Sequence, residues 1–454
     1  MMELLLNIEN ILSGMLLFAL MVIGGLFITL KGRFFQVSGL IKSFPLVKKA
    51  VTVKNNGEGL TSFSAACTAL SATVGTGNIA GVAGALSIGG AGAIFWMWVT
   101  AFTGMAVKFG EIALAVIFRE ESGGEISGGP MHYIKNGMPK MFMPLSMLFA
   151  LAALPSVICS GNITQTNAAV TSFESGRGVR FILGLTFAVL TFIISCGGIK
   201  RIGKVTEWLV PIMALVYIIL SFGVIGSNIS FLPQAFRMIF KGAFNPKAVT
   251  GGAVGSLLTA VFTGASRGIF SNEAGLGTSA MAHSAAIDAE PETQGYFGIF
   301  EVFVDTVLLC TLTALTILCS GVNIEYGKTA SSELVSRALS ECYGNLSQPI
   351  LGVMMCVFGF SSVIGWAVYG NICTEFLFGE KGKNIFRFIY PLGCIAGAVF
   401  DTAVVWRLSA FFNGIMLCIN LPCLIYMSED FLKFTRGNKN DRKNRKIIQV
   451  FKNG

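Results

Sequence analysis

Residues 68–86 read Thr-Ala-Leu-Ser-Ala-Thr-Val-Gly-Thr-Gly-Asn-Ile-Ala-Gly-Val-Ala-Gly-Ala-Leu, an apolar run with Gly75-Thr76-Gly77-Asn78 at its centre. Each glycine inside a helix costs about 1 kcal/mol against alanine, so this quartet breaks the helix it sits in. A break frees backbone carbonyls and amides that lipid cannot satisfy. Such groups persist where they face a cavity and bind something polar. A second run behaves alike. Residues 262–281 read Phe-Thr-Gly-Ala-Ser-Arg-Gly-Ile-Phe-Ser-Asn-Glu-Ala-Gly-Leu-Gly-Thr-Ser-Ala-Met. Gly264, Gly268, Gly275 and Gly277 interrupt it, and it lies in an apolar stretch of about 36 residues, too long for one straight span of about 20. Close packing through small residues is the alternative reading of either segment alone, and Gly77-xxx-Gly81 fits it.

The rest of the chain places both segments in a membrane. Of 454 residues 53% are hydrophobic and 13% charged, and mean hydropathy is +0.70. A soluble domain carries about 25% charged residues. Apolar runs fall near 11–31, 61–86, 90–118, 142–172, 179–197, 204–226, 251–286, 295–320, 347–378, 384–404 and 406–427, about eleven spans. The N-terminal run lacks a basic leader and a small-residue cleavage site, so it reads as a retained first helix. Phe34–Val53 mixes Phe and Leu with lysines and suits an interfacial helix.

The net charge of +9 does not point to nucleic acid, because the basic residues sit in loops. Lys31, Arg33, Lys42, Lys48, Lys49 and Lys54 follow the first span; Arg119, Lys135 and Lys140 the third; Lys200, Arg201 and Lys204 another; Lys381, Lys383 and Arg387 a fourth. A basic tail follows Asp430. With eleven spans these all fall on one side, which the positive-inside rule makes cytoplasmic. The N-terminus is then outside and the C-terminus inside. Arg237, Lys241 and Lys247 outside, and the acidic 287–294 loop inside, blur the pattern.

The broken runs are the second and seventh spans. Corresponding breaks five spans apart are the pattern of an inverted-repeat carrier. The expected organisation is a first helix with a cytoplasmic amphipathic segment (1–60), a five-helix repeat (61–226), an extracellular loop (227–250), a second five-helix repeat (251–430) and a basic tail (431–454).

Two longer motifs carry a family resemblance. Residues 75–98, GTGNIAGVAGALSIGGAGAIFWMW, and 263–286, TGASRGIFSNEAGLGTSAMAHSAA, resemble the hallmarks of the sodium:alanine (alanine or glycine:cation) symporter family, and the likeness covers nearly the whole chain. Ala91 departs from the family's usual proline in a turn outside the break. The resemblance implies a leucine-transporter-like 5+5 inverted repeat with one extra N-terminal helix, all-α and polytopic. It also implies sodium or proton coupling, a small amino acid such as alanine, glycine, serine or glutamine as substrate, and a bacterial or archaeal inner membrane.

The candidate site follows. A zwitterion needs free N–H groups at a half-helix N-terminus for its carboxylate, and carbonyls for its ammonium. Gly75, Thr76, Gly77 and Asn78 can supply both. The resemblance adds Gln165 as a substrate contact; an interhelical hydrogen bond is its alternative. Phe270, Ser271 and Asn272 follow the second break, Phe270 capping the apolar side, with ordinary packing as its alternative. Trp366 closes the cavity. Sodium, a co-substrate with a taste for oxygen, would take carbonyls near Thr73, Val74 and Gly77. Ser361 and Ser362 match the paired hydroxyls of leucine-transporter-like folds; bonding back to their own helix is the alternative. Arg267 is expected to pair with Glu273, Glu301 or Asp305 as a gating or structural ion pair. Asp401 reads as a further buried acid.

Other classes fare worse. The 11 cysteines lack a CxxC pair and read as packing residues, and two histidines, His132 and His283, argue against a metal site, a cofactor or an enzyme. A channel also uses broken helices, but repeated filter loops are not evident.

Overall fold

A computed structural model describes residues 16–52, 59–122, 125–173, 176–252, 256–328 and 330–436. The start of the expected first span, Lys54 and the basic tail beyond 436 lie outside the described residues. The chain is almost wholly helical. Among the described residues the one sheet pairs Glu120–Ser122 with Glu125–Ser127, antiparallel.

Seven described helices are long and apolar enough to cross a membrane, or nine if each bent pair counts as one span. They differ in what they face. The most apolar stretch of Gly92–Ile117 is 89% buried, whereas those of Arg177–Ser195 and Gly198–Ser227 are 28% and 33% buried. The first is therefore an internal scaffold, and the other two form the lipid-facing shell. Leu16–Lys31 turns by 81° into Phe35–Val51, the segment read as amphipathic.

Both glycine-broken runs are broken. Ser62–Thr73 ends at Val74; Gly75 is extended; a 3-10 turn covers Thr76–Asn78, and Ala80–Gly89 resumes the helix. The two arms meet at 53°. The second run is Leu257–Asn272, then Thr278–Ser284. Between them Glu273, Gly275 and Gly277 are left-handed, at φ 55°, 88° and 73°. Only glycine takes such angles at no steric cost.

The small-residue reading also holds, but for other glycines. Cβ atoms at Gly264 and Gly268 would press on Ala93, Trp96, Met97 and Thr100 of the Gly92–Ile117 scaffold. Gly264 and Gly268 thus let two helices touch, and Gly275 and Gly277 make the break. Gly81 has nothing within 4 Å of such a Cβ, so Gly77-xxx-Gly81 is no helix contact.

Two further helices are widened by π segments, at Cys159–Ile163 and Phe303–Cys310. Such turns occur frequently at functional sites. The first precedes Gln165, and the second contains Asp305. The long helix Ser347–Ile389 kinks at Gly379. Asp401 is exposed at the start of the last long helix, which corrects its reading as a buried acid: it begins a helix rather than lying within one.

Candidate functional site

The break in the first run is held by side chains. Gly75 N–H donates to Asn78 Oδ1 at 2.9 Å. Thr76 donates twice to Gln165 Oε1, from its amide at 3.1 Å and its hydroxyl at 2.8 Å. Asn78 Nδ2 then reaches the second broken run and the π segment. It lies 3.2 Å from Ser271 Oγ, 2.6 Å from Asp305 Oδ1 and 3.1 Å from the Asp305 carbonyl. Asn78 is fully buried. Its own carbonyl accepts from Thr313 at 2.8 Å. One asparagine thus joins three discontinuous elements.

Asp305 is equally buried and surrounded by neutral donors. Ser271 Oγ and Thr306 Oγ1 donate to Oδ2 at 2.8 and 2.7 Å. Asn272 Nδ2 donates to Thr306 Oγ1 at 3.1 Å.

Beside this cluster lies a small cavity of ≈ 10 Å³, lined by Ala72, Thr73, Gly77, Ser160, Gln165, Phe270, Ser271, Glu273, Trp366 and Asn413. That is room for about one water. Seven of these positions were picked out from the sequence. Gly77 faces the Phe270 ring, which a Cβ would meet at 3.5 Å. Phe270 in turn packs on Trp406, ring centroids 4.9 Å apart. Ser160, Asn413 and Trp406 were not singled out. Asn413 accepts from Ser156 and Ser160 at 2.6 and 3.1 Å.

The expected sodium hydroxyls are divided. Ser361 Oγ donates to Phe358 O of its own helix at 2.8 Å, with a long contact of 3.5 Å to Ser71 O. Thr73 Oγ1 likewise faces Ala69 and Leu70 carbonyls. Ser362 Oγ has no hydrogen-bond partner among the described residues. It sits so close to Gly75 that a Cβ there would overlap it.

The expected ion pair of Arg267 does not form. Its guanidinium stacks on Trp406, 4.7 Å from the ring centroid. Glu273 accepts from Thr278. Glu301 lies against His283 and 4.0 Å from Lys108. Asp305 is taken by hydroxyls and Asn78. The reason is geometric: Arg267 lies on Leu257–Asn272, and six residues of helix carry it roughly 9 Å from Glu273 along the axis.

Sequence reading passed over Lys108 and Glu111, both fully buried on the scaffold helix. Lys108 Nζ donates to Asn272 O at 2.7 Å, the last carbonyl before the second break. Glu111 Oε1 accepts from Gly277 N–H at 2.9 Å, at the far end of the break where Thr278–Ser284 begins, and from Asn420 at 2.6 Å. Asn420 also donates to Gly275 O at 2.9 Å. Ionisable groups inside an apolar run were the available signal.

At the end carrying the basic loops, the two broken runs are tied together. Leu60 pairs with Ala286 as an isolated bridge, and Ile287 N–H donates to Leu60 O at 2.9 Å. Ser62 donates to Asp288 Oδ1 from its amide at 2.7 Å and its hydroxyl at 2.8 Å. Arg119 holds the Ser284 and Ala286 carbonyls at 3.1 and 2.7 Å. At the opposite end Gly327 N–H donates to Ser87 O at 2.9 Å.

Apolar spans around a buried polar break define a multi-pass membrane protein of transporter type. Residues 1–453 match the sodium:alanine symporter family, and the chain belongs to it. It is 36% identical over 446 residues to the sodium/alanine symporter AgcS of Methanococcus maripaludis, covering 96% of this chain and 97% of that one. It is 35% identical over 426 residues to the probable sodium/glutamine symporter GlnT of Bacillus subtilis, covering 93% and 87%. The crystal structure of MhsT in complex with L-phenylalanine has a similar fold, with TM-score 0.54, 13% identity, and coverage of 84% of this chain and 97% of that one.

Proposed function

We propose that the chain is a sodium-coupled symporter of a small neutral amino acid, alanine or glycine first and serine or glutamine next. It works by alternating access in a leucine-transporter-like 5+5 inverted repeat, N-terminus outside and C-terminus in the cytoplasm. The observation that carries the reading is convergence: both breaks, Gln165, Phe270 and Trp366 meet on one cavity. The family and the names of its relatives support the ion and the substrate class.

The cavity offers both poles a zwitterion needs. The Thr76 amide, which lies behind the lining residue Gln165 and donates to it, suits a carboxylate once Gln165 turns away. Glu273 and Ser271 on the other wall suit an ammonium. Sodium has two oxygen-rich positions: the Thr73, Val74 and Gly77 carbonyls with Ser361 and Ser362, and the Asp305, Asn78, Ser271 and Thr306 cluster. The second offers a carboxylate, the first the Ser362 hydroxyl, which has no hydrogen-bond partner among the described residues.

Proteoliposome uptake of labelled alanine tests the function. An inward sodium gradient should drive accumulation. Failure of any gradient to concentrate alanine, glycine, serine or glutamine sinks the reading, accumulation on a proton gradient alone reassigns the ion, and unitary conductance indicates a channel.

The size limit has its own test. Gly77→Ala adds a methyl inside the cavity, toward Phe270, where the side chain of alanine must lie. One methylene in such a pocket is worth roughly 10- to 200-fold. Alanine KM should rise by at least about tenfold while glycine KM changes by less than about threefold. Equal loss for both would place the amino acid elsewhere.

A further inference from the structure

The core around the two breaks holds four carboxylates, Glu111, Glu273, Glu301 and Asp305, each 3% exposed or less. One lysine faces them. Lys108 is fully buried, 4.0 Å from Glu301, and within electrostatic reach of Glu111, Glu273 and Asp305. His283, also fully buried, contacts Glu301 through Nε2 and Gln294 through Nδ1. Buried charges are costly unless paired and hydrogen-bonded. Among the described residues Lys108 is the one lysine or arginine within ion-pair distance of any of these carboxylates, so wherever more than one of them is ionised a mobile cation can supply the missing positive charge.

The position of Lys108 is as specific as its charge. Its ammonium sits on the Asn272 carbonyl, at the negative end of Leu257–Asn272, where a helix favours a cation. Glu111, three residues on and on the same face, takes the Gly277 amide at the far end of the break. The pair holds both cut ends of the second broken helix to the scaffold. Between those ends lies Glu273, which lines the cavity, and just before them Ser271 and Asn272.

We propose that Lys108 is a fixed counter-cation of the transport site. It is a positioning residue: its ammonium holds the carbonyl end of the broken helix, and its charge sets how tightly the mobile sodium is bound. The proposal rests on the sodium-coupled reading above. Lys108 stands in for a cation that never leaves, so the carrier needs to bind and release fewer mobile ones.

Sodium-driven alanine uptake by the full chain in proteoliposomes provides the test, with the sodium concentration for half-maximal uptake and the alanine KM measured separately. Lys108→Met removes one positive charge beside the carboxylates. It should lower the half-maximal sodium concentration at least about fivefold and slow maximal uptake, because sodium leaves more slowly. Lys108→Arg keeps the charge and should stay within about threefold of wild type. Lys108→Met with Glu301→Gln removes both members of the pair. It should return the sodium value to within about threefold, and it supplies a charge-balanced protein if the single variant does not fold. A Lys108→Met protein with an unchanged or raised half-maximal sodium concentration, or a double variant that keeps the shift, reduces Lys108 to packing and overturns the proposal. If wild type itself shows no sodium dependence, the symport reading falls and takes this one with it. Sodium-driven wild type with unshifted variants removes the inference alone.

Discussion

Asn78→Ala is expected to lower sodium-driven uptake at least about 100-fold while the protein still elutes as a folded species. The side chain accepts from Gly75 and donates toward Ser271 and Asp305. Truncation leaves the Gly75 amide and the Asp305 carboxylate each short of a partner in a buried site, at roughly 1–3 kcal/mol apiece. That loss falls on the break and on its ties to Ser271 and Asp305, while the apolar packing of the helix arms on either side is untouched. Asn78 also lies at the join between the proposed amino acid and sodium positions, so both affinities should fall together. The check is uptake and alanine binding on detergent-purified protein whose elution and thermal transition are monitored. Wild-type uptake in the variant would remove Asn78 from the site.

The second large effect is expected at a residue that makes no polar contact. Gly161→Ala should abolish uptake, at least about 50-fold, with only moderate loss of stability. Gly161 lies in the π segment Cys159–Ile163, and a Cβ there would overlap the Trp366 indole. Trp366 is 2% exposed, and the free space beside it is the cavity of ≈ 10 Å³. The indole must move into the space the amino acid needs. Overpacking of this kind costs roughly 1–3 kcal/mol, which a membrane bundle tolerates better than its binding site does. Adding Trp366→Phe to Gly161→Ala shrinks the ring and should recover part of the uptake. A single variant with normal kinetics would show that Trp366 does not bound the substrate.

These two residues mark what the sequence made legible. Asn78 stands out because a polar amide next to Gly-Thr-Gly in an apolar run has few other reasons to exist. Ser271 bonds to it, Gln165 holds its neighbour Thr76, and Phe270 faces Gly77. Gly161 gave no such sign: its role depends on Trp366, about 200 residues away, and no periodicity connects them. Asn413 and Trp406 were hidden in the same way, in a last long helix that reads as plain lipid-spanning sequence. Lys108 and Glu111 were visible and passed over, since the Gly92–Ile117 run is apolar enough to absorb two charges without losing its character as a span. Arg267 was misread because nearness in sequence stood in for nearness in space. It reached for an aromatic face on Trp406, an attraction that a charge count does not register. Of the glycines, sequence could locate both broken regions but could not separate those that allow contact from those that take positive φ.

The bridge between Leu60 and Ala286 has a consequence for the working cycle. It splices the start of one broken helix to the tail of the other through main-chain atoms, with Asp288 buttoned onto Ser62. In the proposed alternating-access cycle the two arms leave as a pair or the splice is undone first. On that proposal, release has a threshold rather than a slope. In a carrier that draws on an ion gradient, a door that opens fully or stays shut is what keeps the gradient from draining when no amino acid travels with it.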